Sequence, residues 1–397
     1  MKVLQVVPSY YPATVYGGPI FSIHRACEAL ARAGVDIDVA TTNANGVTKL
    51  DVPTSEAVVL AERYRVRYYE DTIIGRFSLA FTFNLWRDIK TTEVVHLQDI
   101  FSAHAVTALL LCALFRKPLL VSARGELASW GLRNKRRWLK RLWLGVLVRP
   151  LVLISRRVFW HATSPHECTE IVNVFPRARI RVVPNAIDCA EFDGVGAPSR
   201  AEYLARFFPG VGVSSNSTRI LVAMGRLHRK KGFDIAITAF SMIAKKHPEA
   251  VLLIAGPDDG VKETLERMVE GAGLTNRIRL VGNVSESEKI MFLKGAELFL
   301  FPSCSENFGM VCLESLAAGC PVVASRNTPW GQLEQERAGW WVENSPEAFA
   351  TAIQDFLSGK SEAMRERARA IAVRYDLSSV ATAFRRIYGE LIGDGDE

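Results

Sequence analysis

Two glutamates eight residues apart, Glu306 and Glu314, lie in the segment S-C-S-E-N-F-G-M-V-C-L-E-S-L-A-A-G-C-P-V-V-A-S that runs from Ser303 to Ser325. Leu313, Leu316 and Ala317 follow the i, i+3, i+4 rule and predict a helix that opens near Gly309. Glu306 then falls in the loop ahead of that helix and Glu314 in its second turn. The backbone N–H groups of Met310 and Val311 would point out of the helix start, a setting that favours phosphate. Phosphate between two carboxylates makes sense only if the ligand also brings hydroxyls for the carboxylates to accept from. A nucleotide sugar has that layout, with a ribose diol, a diphosphate and a hexose diol in sequence. The plain alternative is a pair of solvated carboxylates on a helix face, and the spacing alone does not exclude it.

Three further loops carry residues suited to the same ligand. Gly225, Arg226, Lys231 and Gly232 form a basic turn between a strand and a helix. A departing diphosphate gains negative charge in the transition state, and preplaced cations lower that barrier. His228, Arg229 and Lys230 are assigned to the exposed tip of this turn. Gly17 and Gly18, in Y-G-G-P before the first long helix, permit close backbone approach to a ligand. Arg124 sits in V-S-A-R-G-E-L. Its guanidinium cannot act as a proton shuttle, but it can give a charge-assisted hydrogen bond to phosphate or sugar. A structural pairing of Arg124 with Glu126 or another acid is the competing reading.

The glutamate pair resembles the E-x7-E signature of retaining glycosyltransferases of family 4, which have the GT-B fold. The resemblance covers about residues 1 to 385. It implies that Glu306 meets the donor sugar and Glu314 the ribose, with Asn307, Phe308, Gly309, Met310 and Val311 completing the donor site. It implies phosphate-gripping roles for Arg226 and Lys231, and an approach of the Gly17–Gly18 loop to the phosphates and the acceptor. Many relatives carry His-Gly where this chain has Arg124-Gly125, the form of a polysaccharide-related subgroup. V-P-N-A-I-D at Val183–Asp188 resembles the family's V-P-N-G-I-D, with Ala186 in place of the usual Gly, and reads as a hinge-side turn. S-E-N-F-G and Thr328-Pro329-Trp330 are most similar to bacterial enzymes of surface-polysaccharide and lipopolysaccharide assembly.

The elements that must hold these residues alternate. A strand at 3–7, a loop at 8–18, a helix stopped at Gly34 and a strand at 35–42 begin one doubly wound α/β unit. The pattern restarts at 219 with R-I-L-V-A-M. The expected division is an acceptor-side domain at 1–193, a Gly-, Pro- and Ser-rich linker at 194–218, a nucleotide-sugar domain at 219–377, and a helix at 378–397 returning to the first domain. The acidic tail G-D-G-D-E is expected to fray. The fold class is α/β, and the resemblance implies two Rossmann-like domains facing a cleft.

Composition limits the remaining choices. The 397 residues are 49% hydrophobic, enough for two cores. No signal peptide and no uninterrupted membrane-length apolar run are recognised. The seven scattered cysteines, with no C-x-x-C, read as reduced thiols in a cytosolic setting. No metal site is expected: the D-x-D pairs Asp36/Asp38 and Asp394/Asp396 do not follow a strand into a cleft loop, and His96, His104 and His161 read as packing or surface residues. The net charge of +7 is local, because Leu127–His166 holds nine Lys and Arg and no acid. Drawn as a helix, 133–157 puts Arg133, Arg137, Lys140 and Arg141 on one side, and Leu139, Leu142, Trp143 and Val146 on the other. Such a helix suits an anionic membrane surface, or else packs its apolar side on its own core. Nucleic acid is not expected, since no recognition motif accompanies the basic stretch.

Together these features favour a metal-independent retaining hexosyltransferase with no cofactor beyond a UDP- or GDP-sugar co-substrate. Its acceptor would be a cell-envelope glycan or a lipid-linked oligosaccharide, at the cytosolic face of the inner membrane. A nucleotide-sugar epimerase on the same fold and a catalytically silent membrane-bound scaffold are the alternatives.

Overall fold

The apolar runs V-L-Q-V, R-I-L-V-A-M and V-L-L-I-A become parallel strands covered on both faces, which is why their residues do not alternate between apolar and polar. The computed structural model describes all residues except 55, 72–77, 129–136, 156, 211–216, 360–361 and 394–397. The chain forms two compact units, Met1–Ala186 with Leu377–Glu397, and Ile187–Asp376.

The first unit is built on an eight-stranded sheet. Its order is Ile180–Val182, Val158–Ala162, Leu119–Ser122, Val94–Leu97, Lys2–Val6, Asp36–Thr42, Tyr64–Tyr69, Val58–Ala61. All neighbours are parallel except the last pair. Helices Gly18–Arg32 and Leu377–Gly393 cover one face, and their buried residues share a cluster with Val3, Ile37 and Val66. Helices Leu79–Lys90 and Ala103–Leu114 cover the other, with Leu144 and Val148. The C-terminal helix thus belongs to the first unit.

The second unit has a six-stranded parallel sheet: Ile278–Gly282, Ala250–Ala255, Arg219–Met224, Leu298–Phe301, Val322–Ser325, Gly339–Val342. Numbered along the chain within this unit, the order is 3-2-1-4-5-6, the doubly wound arrangement that binds ligands beyond the carboxyl ends of the strands where the order reverses. Here that point lies between Arg219–Met224 and Leu298–Phe301.

Within the expected linker at 194–218, V-G-V-S-S-N falls on residues 211–216, outside the described residues, but 200–207 is not a linker. Ser199 and Glu202 form a reciprocal capping box that starts a helix at Arg200–Phe207, and Tyr203, Phe207 and Phe208 are buried in the second unit's core. Glycine and proline content hid a capping signal followed by aromatic residues with a helical period.

The basic stretch also departs from the single helix drawn from the sequence. Arg137–Trp143 is followed by a π-helical segment at Leu144–Val148, then Arg149–Ile154. Leu144 and Val148 turn inward, and Trp143 gives its indole N–H to the carbonyl of Ile100 at 3.0 Å. Leu139, Leu142 and Val146, expected on the same side as Trp143, are exposed instead. Arg133, Lys135, Arg136 and Trp130 lie outside the described residues.

Candidate active site

Both loops at the reversal of the second sheet carry residues singled out above. Met224 leads into Gly225–Gly232, and Phe301 leads into Ser303–Gly309. The two loops fit closely: the N–H of Cys304 donates to the carbonyl of Lys230 at 2.8 Å. A side chain at Gly232 would place its Cβ 2.1 Å from the carbonyl oxygen of Pro302, and φ there is +66°, so only glycine lets the loops meet. Lys231 is thereby held beside the second loop, where its Nζ donates to Glu306 Oε1 at 2.5 Å. Ser303 Oγ donates to the same oxygen at 3.0 Å. Arg226 points elsewhere, to Asp259 Oδ2 at 2.9 Å, in a pair open to solvent.

The helix expected near Gly309 runs Met310–Ala317. Gly309 is its N-cap at φ +85° and supplies no side-chain cap, and a Cβ there would meet the ring of Phe301 at 2.6 Å. The Trp330 indole N–H donates to the Phe308 carbonyl at 2.6 Å, so the T-P-W segment buttresses S-E-N-F-G from behind. Leu313, Leu316 and Ala317 are buried as expected, but so is Glu314, at 7% exposure. Glu306 is nearly as enclosed, with 12% of its side chain exposed. Two solvated carboxylates on a helix face would not look like this. Burying carboxylates is costly unless each is paired, and each is paired with a lysine.

Lysine 289 is the partner of Glu314. From helix Glu286–Lys294 its Nζ donates to Glu314 Oε1 at 2.8 Å and to Glu286 Oε2 at 2.7 Å. Burial alone would lower its pKa, but the Glu314 and Glu286 carboxylates outweigh burial and raise it above the ordinary lysine value.

Within the first unit, Arg124 follows the strand Leu119–Ser122 and has left-handed backbone, φ +46°, with Gly125 at +78° beside it. A non-glycine residue in that region is uncommon. The buried Glu167 holds the turn, accepting from Gly125 N at 2.9 Å and from Thr163 N at 2.7 Å. Arg124 does not pair with Glu126, whose Oε2 accepts from the Ile100 N–H at 2.8 Å. Its guanidinium donates instead to Gln98 Oε1 at 2.7 Å, Asn185 Oδ1 at 3.1 Å and Ser22 Oγ at 3.3 Å. All three acceptors are neutral. Burial pushes its pKa down to about 10, against the opposing pull of Glu167, and it stays a cation at neutral pH. Ser22 lies in the first turns of the helix that Gly18 opens, and Gly17, at φ +76°, is that helix's N-cap. Arg124 is therefore near the Gly17–Gly18 loop, and V-P-N-A-I-D supplies one of its ligands.

Beneath Arg124 the histidines form a buried chain. His161 Nε2 must donate to the Val183 carbonyl at 2.8 Å, so its Nδ1 accepts from Ser122 Oγ at 2.6 Å. Ser122 in turn accepts from His96 Nε2 at 2.7 Å, and His96 Nδ1 accepts from the hydroxyl of Tyr388, on the C-terminal helix, at 2.7 Å. Burial lowers both histidines, His161 to about 3. They are neutral packing elements of a polar network. Asp36 is ion-paired with Arg63, and Asp38 with Arg65 and Lys2. Asp394 and Asp396 lie outside the described residues.

Two family models match this chain: Glycosyltransferase Family 4 over residues 16–191 and Glycosyl transferases group 1 over 208–372. The chain belongs to the glycosyltransferases that join these two domains. It is 29% identical to a D-inositol 3-phosphate glycosyltransferase of Corynebacterium urealyticum over 54% of this chain, and spans about half (52%) of that relative's length. It is 25% identical to a GDP-mannose:cellobiosyl-diphosphopolyprenol alpha-mannosyltransferase of Xanthomonas campestris over 99% of this chain and 98% of the relative. Among solved structures, Anabaena HepE in complex with UDP superposes with a TM-score of 0.75 at 18% identity, covering 98% of this chain and all of the other. That likeness gives the fold, GT-B.

For this glycosyltransferase the residues that sequence reading missed are Lys289 and Asp259, and Asn185 was read only as part of a turn. Lys289 carried a faint signal, since it is a lone lysine among acids at the start of a predicted helix. Asp259 carried none, and the V-P-N-A-I-D motif gave no hint that Asn185 meets Arg124, because only the fold brings these partners to Arg226 and Arg124.

Proposed function

We propose that this glycosyltransferase is a retaining, metal-independent enzyme that moves a hexose from a UDP- or GDP-sugar to a cell-envelope glycan or lipid-linked oligosaccharide. The observation that carries the reading is the pair of enclosed carboxylates, Glu314 buried and Glu306 mostly so, each bound by a lysine in the second unit. In this reading Glu306 accepts from the donor sugar and Glu314 from the ribose. Asn307, Phe308 and Gly309 shape the floor of the donor site, and the N–H groups of Met310 and Val311 meet the diphosphate. Lys231 and Arg226 stabilise the charge that develops as the diphosphate departs. The exposed Arg226–Asp259 pair is worth only about 0–1 kcal/mol, so the guanidinium can turn to a phosphate at small cost. Arg124, a cation bound only by neutral acceptors, has the chemistry of a charge-assisted donor to phosphate or sugar, and Gly17 and Gly18 lie near it in the first unit. The departing phosphate itself takes the acceptor's proton in a front-side displacement, so no separate carboxylate base is needed.

A lipid-linked acceptor fits the surface of the first unit. Among the described residues no helix is long and apolar enough to cross a membrane. The helical layer formed by Leu79–Lys90, Ala103–Leu114 and Arg137–Ile154 packs inward on one side of the sheet. Outward it exposes Phe83, Leu114, Trp138, Leu142, Val146 and Leu153, with Arg87, Arg141 and Arg149 among them. Apolar side chains interleaved with cations and no acid from 127 to 166 match the headgroup boundary of an anionic bilayer. The similarity to an enzyme named for a diphosphopolyprenol acceptor supports the same reading.

The deciding experiment incubates the protein with UDP- and GDP-hexoses and a lipid-linked disaccharide, and follows early product by proton NMR. An α donor should give an α product. An inverted anomer overturns the retaining mechanism, and a donor sugar altered without acceptor would mark an epimerase.

A further inference from the structure

Lys289 makes an unusual choice of partners. Glu286, one turn before it on the same helix, would be enough to anchor a surface lysine, and such i, i+3 pairs are weak and common. Instead the side chain is 13% exposed and reaches to a second carboxylate on another helix, Glu314. The Glu314 carboxylate accepts from no other donor among the described residues, so Lys289 occupies Oε1 and Oε2 takes no protein donor. Removing Lys289 would leave the enclosed Glu314 carboxylate without its counter-ion, a costly arrangement, and without the donor that fixes its plane.

We propose that Lys289 is a positioning residue for ribose recognition: it fixes the plane and the charge of Glu314 so that Oε2 is the oxygen left to accept from the ligand's diol. This rests on the reading of Glu314 as the ribose acceptor. The consequence is specific. Loss of Lys289 should blunt the distinction between a ribose and a sugar lacking its hydroxyls more than it weakens nucleotide binding in general.

The test measures calorimetric affinities of UDP and GDP, and of the 2′,3′-dideoxy form of whichever binds, on the parent protein and on Lys289→Met. Lys289→Gln is measured alongside and read the same way, and circular dichroism checks the fold of each. The parent should prefer the ribose form by about tenfold or more, the worth of a hydrogen bond to a charged group. In the neutral variants the preference should fall to within about twofold. A lysine that only supports packing would weaken both ligands together and leave their ratio unchanged. If the parent discriminates and the variants discriminate equally well, Lys289 has no such role while the reading of Glu314 stands. If the parent itself binds both forms equally, or binds neither diphosphate, the reading of Glu314 fails first.

Discussion

Replacing Glu306 with glutamine separates sugar recognition from nucleotide binding. Glutamine keeps the size of the side chain and can still accept from Ser303 Oγ, but it removes the carboxylate 2.5 Å from Lys231 Nζ. A hydrogen bond to a charged group is worth about 1.5–3 kcal/mol. If Glu306 accepts from the transferred sugar most strongly at the transition state, kcat/KM should fall by about ten- to a hundredfold. The same change leaves Lys231 without its carboxylate partner, at a site where only 21% of the lysine side chain is exposed. That ammonium is then free to answer a diphosphate. Affinity for the nucleoside diphosphate should consequently stay within about twofold of the parent or become tighter. Initial rates with donor and acceptor, paired with calorimetry of UDP or GDP alone, measure the two quantities on one preparation. A variant that loses diphosphate binding while the rate per bound donor is preserved would refute the assignment and give Glu306 the nucleotide instead.

If Lys231, Arg226 and a helix start meet the phosphate charge as proposed, activity should survive exhaustive treatment with EDTA; loss in EDTA with recovery in Mg²⁺ or Mn²⁺ would contradict this. The protein should sediment with anionic vesicles, less so as salt rises, since screening reaches about 8 Å at physiological ionic strength. Arg141→Glu with Arg149→Glu should remove the salt-sensitive part of that binding, and Trp138→Ser with Leu142→Ser the salt-resistant part. Vesicle binding unchanged in both variants would rule out this face. Folding stability should fall with acid through His161: its folded pKa is about 3 against an ordinary 6.5, so below that ordinary value only the unfolded chain takes the proton. The contribution is lost at about 1.4 kcal/mol per pH unit, and urea midpoints should decline less steeply between pH 6.5 and 4.5 in His161→Gln than in the parent.

The local grammar of this chain was legible without coordinates. Apolar runs bounded by glycine gave the strands, and the spacing of Leu313, Leu316 and Ala317 gave the helix that opens after Gly309, because these signals depend on neighbours within one or two turns. The same holds for the return of the strand–loop–helix pattern at 219 and for the terminal helix. Tertiary structure decided what depends on distant partners. The burial of Glu314 and its clamp by Lys289 require two helices to pack, and no pattern within either helix encodes their contact. Arg124 carries a short sequence signal, yet its acceptors come from residues 22, 98 and 185, which only the sheet order brings together. The sequence left two settings open for the apolar side chains of 133–157, a membrane surface or the protein's own core; packing buries Leu144 and Val148 and leaves Leu139, Leu142 and Val146 exposed, a choice that no periodicity within the segment encodes. The helix at Arg200–Phe207, inside the expected linker, was missed because composition was weighed above the capping pair Ser199 and Glu202. Sequence fixed the elements and named most of the charged residues at their ends; packing chose which of those charges are enclosed, and enclosure is what turns a carboxylate into a specific acceptor.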